Sequence, residues 1–287
     1  MTTPLAKPNK LQYISASRRN DLPRFHTQAF FDAWRRGAVT YNGGYGRSYT
    51  VSLLPEHVMG YIFWSKDFAP LRAHPDFPVL LSRNNALFHF TINDMPALEP
   101  NLPALEQRLT TLSRLCRMVG PERVLWRFDP ICRYRDSTGR IVTTDAAFYR
   151  IFPFMASEGI TRCYFSFMTA YNKLRGRPVD FMEIPVEEQI GIAVSLRDAG
   201  RQAGITLYNC CNTHLRNAVE GIEQAHCIDE SLLAQTDRFG VHRPLKQKPT
   251  RMGCGCYESR DIGSYEPPCP HGCLYCYAKP AQGGISC

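Results

Sequence analysis

The sequence has no long apolar run. YIFW (61–64) and FPVLL (77–81) are short stretches, far below the roughly 20 residues that a membrane span needs, so no membrane partner is expected. The opening MTTPLAKPNK lacks an apolar h-region, which argues against a secretion signal and for a cytoplasmic protein. No glycine-rich phosphate fingerprint follows a predicted strand, which counts against a dinucleotide-binding open sheet. Cysteine is nearly missing from the first two-thirds of the chain. Of 12 cysteines only Cys116, Cys132 and Cys163 precede residue 200. A disulfide framework is not expected where thiols are kept reduced, so cysteines gathered in one region point to metal or redox chemistry.

What is present describes a globular chain. Hydrophobic residues make up 44% and charged residues 21% of 287, enough for a real core and of a size that a single large α/β barrel reaches. The net charge of +8 favours anionic partners such as nucleic acid, phosphorylated metabolites or an acidic protein. Lys and Arg are scattered, however, and the densest cluster, KQKPTR (246–251), reads as a solvated linker. The charge alone therefore does not mark a nucleic-acid site.

Eight short β-rich stretches recur, at 13–17, 38–42, 61–65, 87–92, 123–128, 163–168, 205–210 and, least clearly, 225–228. Amphipathic segments lie between several of them. Residues 104–119 put Leu105, Leu109, Leu112 and Cys116 on one helical face. Residues 186–204 do the same with Ile190, Ala193, Val194 and Leu196 and stop at Gly204, and a shorter helix over 27–37 stops at Gly37. This alternation predicts a TIM-like (β/α)8 or partial barrel over residues 1–241, with closure least certain at its seventh and eighth units. A doubly wound open sheet is the alternative. Residues 242–287 are rich in Pro, Gly and Cys and cannot bury a core alone. They are expected to pack as an extension over the C-terminal ends of the strands, within the same structural unit.

Barrel chemistry gathers at those ends, and here they are polar. The first strand is followed by Ser17, Arg18, Arg19, Asn20 and Asp21, the third by Ser65, Lys66 and Asp67. The fourth gives Thr91 and Asn93, the fifth Arg127 and Asp129, the sixth Ser166, and the seventh Asn209 to Asn212. Arg18, Arg19, Asp21, Arg127 and Asp129 are the candidate catalytic residues. Asn20 and Asp21 also suit helix caps. Arg127 and Asp129 alternate along one strand, so both can face the axis and pair there. His89 reads as a satisfied core histidine. Arginines at the mouth suggest an anionic substrate.

The tail reads EPPCPHGCLYCYAKP (266–280), with Cys269, Cys273 and Cys276 spaced C-x3-C-x2-C. Three thiolates so close must wrap one small object. Paired zinc knuckles fit poorly, because His271, the only nearby fourth ligand, lies inside the first spacer. A 4Fe–4S cluster held by three thiolates keeps one iron open. Cys210 (or Cys211), Cys227, Cys254 and Cys256 can supply four more thiolates for a second cluster or a zinc ion. Ordinary buried cysteines are the competing reading of Cys210 and Cys227. Cys116 reads as core, Cys132 and Cys163 have no evident partner, and Cys287 reads as mobile.

CPHGCLYC resembles the C-x3-C-x-aromatic-C motif of radical S-adenosylmethionine (radical SAM) enzymes. With SASRRNDLPRF, FWSKDFAP, VLWRFDPI, HCIDESL and GCGCYESRDIGSYEPPCPHGCLYCYA in order, nearly the whole chain resembles the family called domain of unknown function 1848. The resemblance implies that Cys269, Cys273 and Cys276 ligate a 4Fe–4S cluster and that Tyr275, with Ser17, Asn20 and Lys66, lies against S-adenosylmethionine. It also implies a flavodoxin- or ferredoxin-type reductant and hydrogen-atom abstraction from a substrate. Two departures stand out. The motif follows the barrel instead of its first strand, and no GGE segment is present, Gly283-Gly284 being followed by Ile285. Two other classes remain open: a protein in which zinc or a structural cluster staples the tail of a nucleic-acid or protein binding module, and an electron-transfer iron–sulfur protein.

Overall fold

The computed structural model describes residues 11–42, 48–169 and 177–276. Thirteen strands are present among these residues. They are β1 (Gln12–Ala16), β2 (Ala38–Asn42), β3 (Ser48–Ser52), β4 (Val58–Ser65), β5 (Asn85–Thr91), β6 (Val124–Ile131) and β7 (Arg133–Arg135). They continue with β8 (Ile141–Thr143), β9 (Arg162–Phe167), β10 (Asp180–Met182), β11 (Thr206–Asn209), β12 (Ile222–Gln224) and β13 (Arg260–Asp261). Eight form one parallel sheet in the order β12-β11-β9-β6-β5-β4-β1-β13. Successive barrel strands are neighbours and the strand latest in the chain lies beside the first, which is the order of a (β/α)8 barrel. No ladder joins β12 to β13 among the described residues, so a seam remains there. No helix among them is long and apolar enough to cross a membrane.

Two expected strands are placed differently. Residues 38–42 do form a strand, but it pairs antiparallel with β3 outside the barrel. Its residues are half-buried or exposed throughout, whereas a parallel barrel strand is covered on both faces and apolar nearly throughout, as β4 is. The stretch at 225–228 lies just beyond β12. The eighth barrel strand is instead β13, two residues of the cysteine-rich extension, paired with Ile14 and Ser15. The helices fall where the periodicity puts them, at Leu105–Val119, Val186–Gln202 and Thr27–Arg36, the last closed by Gly37 in the left-handed region.

Strand alternation divides the core in two. Ile14, Phe63, Phe88, Trp126 and Phe165 face the helices in the larger cluster, and Cys116 packs there as expected. Cys163 lies in the same cluster. Tyr13, Ile62, Leu87, Leu125 and Tyr164, each one residue away, fill the inner cluster. Two and four residues further along, the inward rows turn polar: Ser15 and Ser17, Trp64 and Lys66, His89 and Thr91, Arg127 and Asp129, Ser166. The barrel is thus apolar below and polar at its mouth.

His89 marks the boundary. It stacks on Trp64 at 4.0 Å, and its Nε2 meets the Cys227 carbonyl oxygen at 2.8 Å, while its buried Nδ1 has no hydrogen-bond partner. Burial, then the positive charge of Arg127, lowers its pKa from 6.5 to about 3. The unfolded chain therefore takes up a proton that the folded chain refuses. The stability tied to His89 is fully present above pH 6.5 and is lost as the pH falls toward 3. His89→Gln is expected to flatten the fall in denaturant-measured stability across that range. A slope equal to that of the unmodified protein would mean that other groups set the acid sensitivity.

Candidate functional site

The mouth is built from the end of β1 outward. Asp261, on β13, accepts hydrogen bonds from Ser15 Oγ (2.9 Å), Ser17 Oγ (3.0 Å) and the backbone N–H groups of Arg18 (2.9 Å) and Gly263 (3.0 Å). Gly263 is required by this close approach, since a Cβ there would lie 1.7 Å from Ser17 Oγ. Arg19 donates to the Gly263 carbonyl oxygen at 3.2 Å, and Asn20 Nδ2 to that of Pro267 at 3.0 Å. These bonds lay the extension across the strand ends.

Asp21 then receives the cysteine loop. One carboxylate oxygen takes Ser65 Oγ at 2.7 Å and caps the helix Leu22–Phe25 through Arg24 N–H. The other takes Lys66 N–H at 2.8 Å and meets His271 Nε2 at 2.7 Å. With both oxygens occupied, Asp21 is a positioning residue and a helix cap. Lys66, expected beside a cofactor, donates from Nζ to Glu99 Oε1 and to Tyr275 Oη, each at 2.7 Å. Tyr275 Oη itself donates to Glu99 Oε1, and Asn93 Nδ2 reaches the same oxygen at 3.2 Å. Burial works against the charge on Glu99, but Lys66, the Tyr275 hydroxyl and Arg108 hold its carboxyl below the usual range. Glu99 escaped the sequence reading because it is one acid in a proline-bracketed loop with no periodic signal.

The loop completes its seat through Leu274 N–H on the Leu98 carbonyl oxygen (2.9 Å) and Asn101 Nδ2 on that of Pro270 (2.9 Å). Cys273 and Tyr275 pack with Met95, Leu98 and Cys132, which gives Cys132 its partner. Burial pushes the Cys273 thiol up to about 12, with Lys66 opposing. Cys269, Cys273 and Cys276 all line one cavity of about 310 Å3. Ser17, Arg18, Arg19, Asn20, Asp21, Lys66, Asp129 and Tyr275 line it too. Arg127 stands behind the wall. Its Nη2 meets Asp129 Oδ2 at 2.5 Å and its Nη1 meets Cys227 Sγ at 3.3 Å, while Ser166 Oγ donates to the other Asp129 oxygen. Burial disfavours the guanidinium charge, but Asp129 and the sulfurs of Cys227 and Cys210 keep it protonated.

A second group of thiols lies at the seam. Cys210 Sγ is 3.7 Å from Cys211 Sγ and 3.9 Å from Cys227 Sγ. Cys227 also contacts Cys256, Cys256 contacts Cys254, and Cys254 contacts Cys211, which closes a ring of five. Contacts from Cys210 and Cys256 favour the thiolate at Cys227. Arg251, read from the sequence as part of a solvated linker, donates from Nε to Cys211 Sγ at 3.0 Å. Cys210 and Cys211 reach the cavity, but Cys227, Cys254 and Cys256 do not line it. Eleven cysteines are free among the described residues; Cys287, Gly283 and Gly284 lie outside them. Among those residues no three His, Cys, Asp or Glu side chains already converge as the ligands of one ion do.

A family model described as a domain of unknown function (DUF1848) matches residues 13–278, and the chain belongs to that family. No curated protein matches it. The matched span includes both thiol groups and β13.

Removing the Tyr275 hydroxyl tests the latch. Tyr275→Phe leaves Lys66 and Glu99 short of a buried partner and is expected to cost about 1–3 kcal/mol. Amide hydrogen exchange over residues 269–276 is expected to quicken. Unchanged exchange in that loop would show that its seat does not depend on the hydroxyl.

Proposed function

We propose that this member of the DUF1848 family is an iron–sulfur enzyme of the radical SAM type. Cys269, Cys273 and Cys276 would hold a 4Fe–4S cluster, and the cavity would take S-adenosylmethionine and an anionic substrate. The observation that carries the reading is that all three thiols line the same cavity as Arg18, Arg19 and Asp129. The donor set fits such a group. Its three thiols are free, and beside them Asn20 Oδ1 and His271 Nδ1 are buried polar atoms without a hydrogen-bond partner. A cluster held by these three thiols would supply one-electron reduction of the sulfonium of S-adenosylmethionine, and so radical chemistry at the substrate, with a flavodoxin- or ferredoxin-type reductant as its electron source.

The chain's own residues bind, orient and exclude water. Arg18 and Arg19 present guanidinium groups to an anion. Asp129, held by Arg127 and Ser166, offers an acceptor on the far wall. The bonds from Asp21 to His271 and from Lys66 and Glu99 to Tyr275 fix the cysteine loop over the mouth. The cavity volume lies at the small end of ligand sites.

One observation favours a second reading. His271 holds Asp21 through Nε2 and keeps Nδ1 unpartnered, which is how a metal-ligating imidazole is oriented by a carboxylate. Three thiolates and this nitrogen would make a structural zinc site, and the protein would then be a stapled binding module. Anaerobic purification separates the two. The leading reading expects a brown, iron-containing protein that releases 5′-deoxyadenosine when given dithionite and S-adenosylmethionine. Serine at Cys269, Cys273 or Cys276 should abolish that release. A colourless zinc protein would sink the enzyme reading, and an iron protein that never releases 5′-deoxyadenosine would point to electron transfer.

A further inference from the structure

We propose that the ring of thiols at the seam is a site of reversible oxidation, at which Cys211 and Cys254 join in a disulfide that fastens the extension to the exit of β11. The site shares no residue with the cysteine triplet, so it does not depend on what the triplet holds.

The sulfurs are placed to bond with one another. Cys210 Sγ lies 3.7 Å from Cys211 Sγ and 3.9 Å from Cys227 Sγ. Sulfurs in contact leave no room between them for the iron–sulfur core expected from the sequence, and all five thiols are free. Burial and reach select one pair within the ring. Cys210, Cys227 and Cys256 are buried, whereas Cys211 and Cys254 are half-buried. Cys211 also lines the cavity and so meets a small oxidant that enters it. Its contact with Cys210 leads only to a strained bond. Adjacent Cα atoms stand about 3.8 Å apart, below the roughly 4.4 Å that a disulfide spans. Cys254, which touches Cys211 from the extension, has no such limit.

The backbone brings this pair together. Gly253 packs directly on the exit of β11, where a Cβ would lie 3.0 Å from the Cys211 carbonyl oxygen and 3.3 Å from Cys211 Cα. So close an approach sets Cys254, the next residue, alongside Cys211. Cys211 itself has φ of 72°, a left-handed conformation that non-glycine residues adopt only when held there. Hydrogen-bond donors fix both sulfurs. Arg251 Nε meets Cys211 Sγ at 3.0 Å, while Cys256 N–H and the Thr250 hydroxyl meet Cys254 Sγ at 3.5 and 3.6 Å.

The oxidant is hydrogen peroxide. One sulfur of the pair attacks a peroxide oxygen and the O–O bond breaks. The hydroxide released takes the thiol proton and leaves as water, and the sulfur becomes a sulfenic acid. The second sulfur then displaces that hydroxyl, which leaves with the second thiol proton as another water, and the S–S bond forms. The two thiols together lose two electrons and two protons, and one peroxide becomes two waters. A dithiol reductant reverses the bond by exchange, so in a reducing compartment it forms only under oxidant. Its effect falls at the seam, where no ladder joins β12 to β13 among the described residues. There the disulfide adds a covalent tie from extension to barrel and restrains the opening of the extension.

The experiment gives hydrogen peroxide to the reduced full-length protein, then alkylates the remaining thiols after unfolding and maps the peptides by mass. Two of the five ring thiols are expected to be lost to alkylation, in one linked peptide pair that holds Cys211 and Cys254 and disappears with dithiothreitol. Cys211→Ser and Cys254→Ser should each abolish that pair. Amide hydrogen exchange over residues 248–256 is expected to slow in the oxidised protein and to recover on reduction. Ring thiols that all stay open to alkylation after peroxide would overturn the site. So would ring thiols that resist peroxide until a chelator is added, because they would then be metal ligands. A linked pair formed by other ring thiols would overturn the choice of Cys211 and Cys254. Unchanged exchange in the oxidised protein would overturn the fastening of the extension.

Discussion

The carboxylate of Asp261 is the contact on which the mouth of this barrel depends. It takes two hydroxyl groups and one backbone N–H from β1 and its exit, and a fourth bond from Gly263. Through it the extension becomes the eighth strand and gains its direction. From there the chain can only run across the strand ends, where Asn20, Asp21 and Lys66 await it. Each of those side chains belongs to the barrel and bonds to the extension, so the cysteine loop is seated by groups that also line the cavity beneath it.

Such an arrangement carries an energetic load. Arg127 with Asp129, and Lys66 with Glu99, are ion pairs drawn out of water, and pairs of this kind seldom stabilise a fold more than apolar residues of like volume would. Their charges are matched by hydrogen bonds from Ser166, Tyr275 and Asn93. The two apolar clusters, the larger one against the helices and the smaller one inside the barrel, bear the stability, and the polar layer at the mouth is where a site can be held rigidly.

The barrel class, its long helices and six of its eight strands were legible in the sequence because each carries a periodic apolar signal of several residues. β12, only three residues long, was expected just beyond its true place, and β13 was missed because its two residues, Arg260 and Asp261, have no period; residues 38–42 were expected in the barrel by virtue of β-rich composition. The cysteine triplet was legible from spacing alone, and the inward pairing of Arg127 with Asp129 from alternation along one strand. Glu99, Asp261 and Arg251 were not. Each is a single charged residue outside any periodic segment, and its meaning lies in partners distant in the chain, such as Lys66 for Glu99, 33 residues away. Asp21 was legible twice over, as a cap and as a site residue, and only the geometry of its two oxygens assigns it to positioning.

Ser15 and Asp261 stand 246 residues apart in the chain. While the chain is being made, β1 has a partner on one side from β4 onward and a bare edge on the other until β13 has been synthesised. An open edge of a parallel sheet pairs readily with other chains. The contacts that cover it are among the longest-range in the molecule, and such contacts form slowly. The same segment that furnishes the cysteines thus also acts as the guard of an otherwise adhesive strand, and its arrival divides the nascent life of the protein into an aggregation-exposed stage and a sealed one.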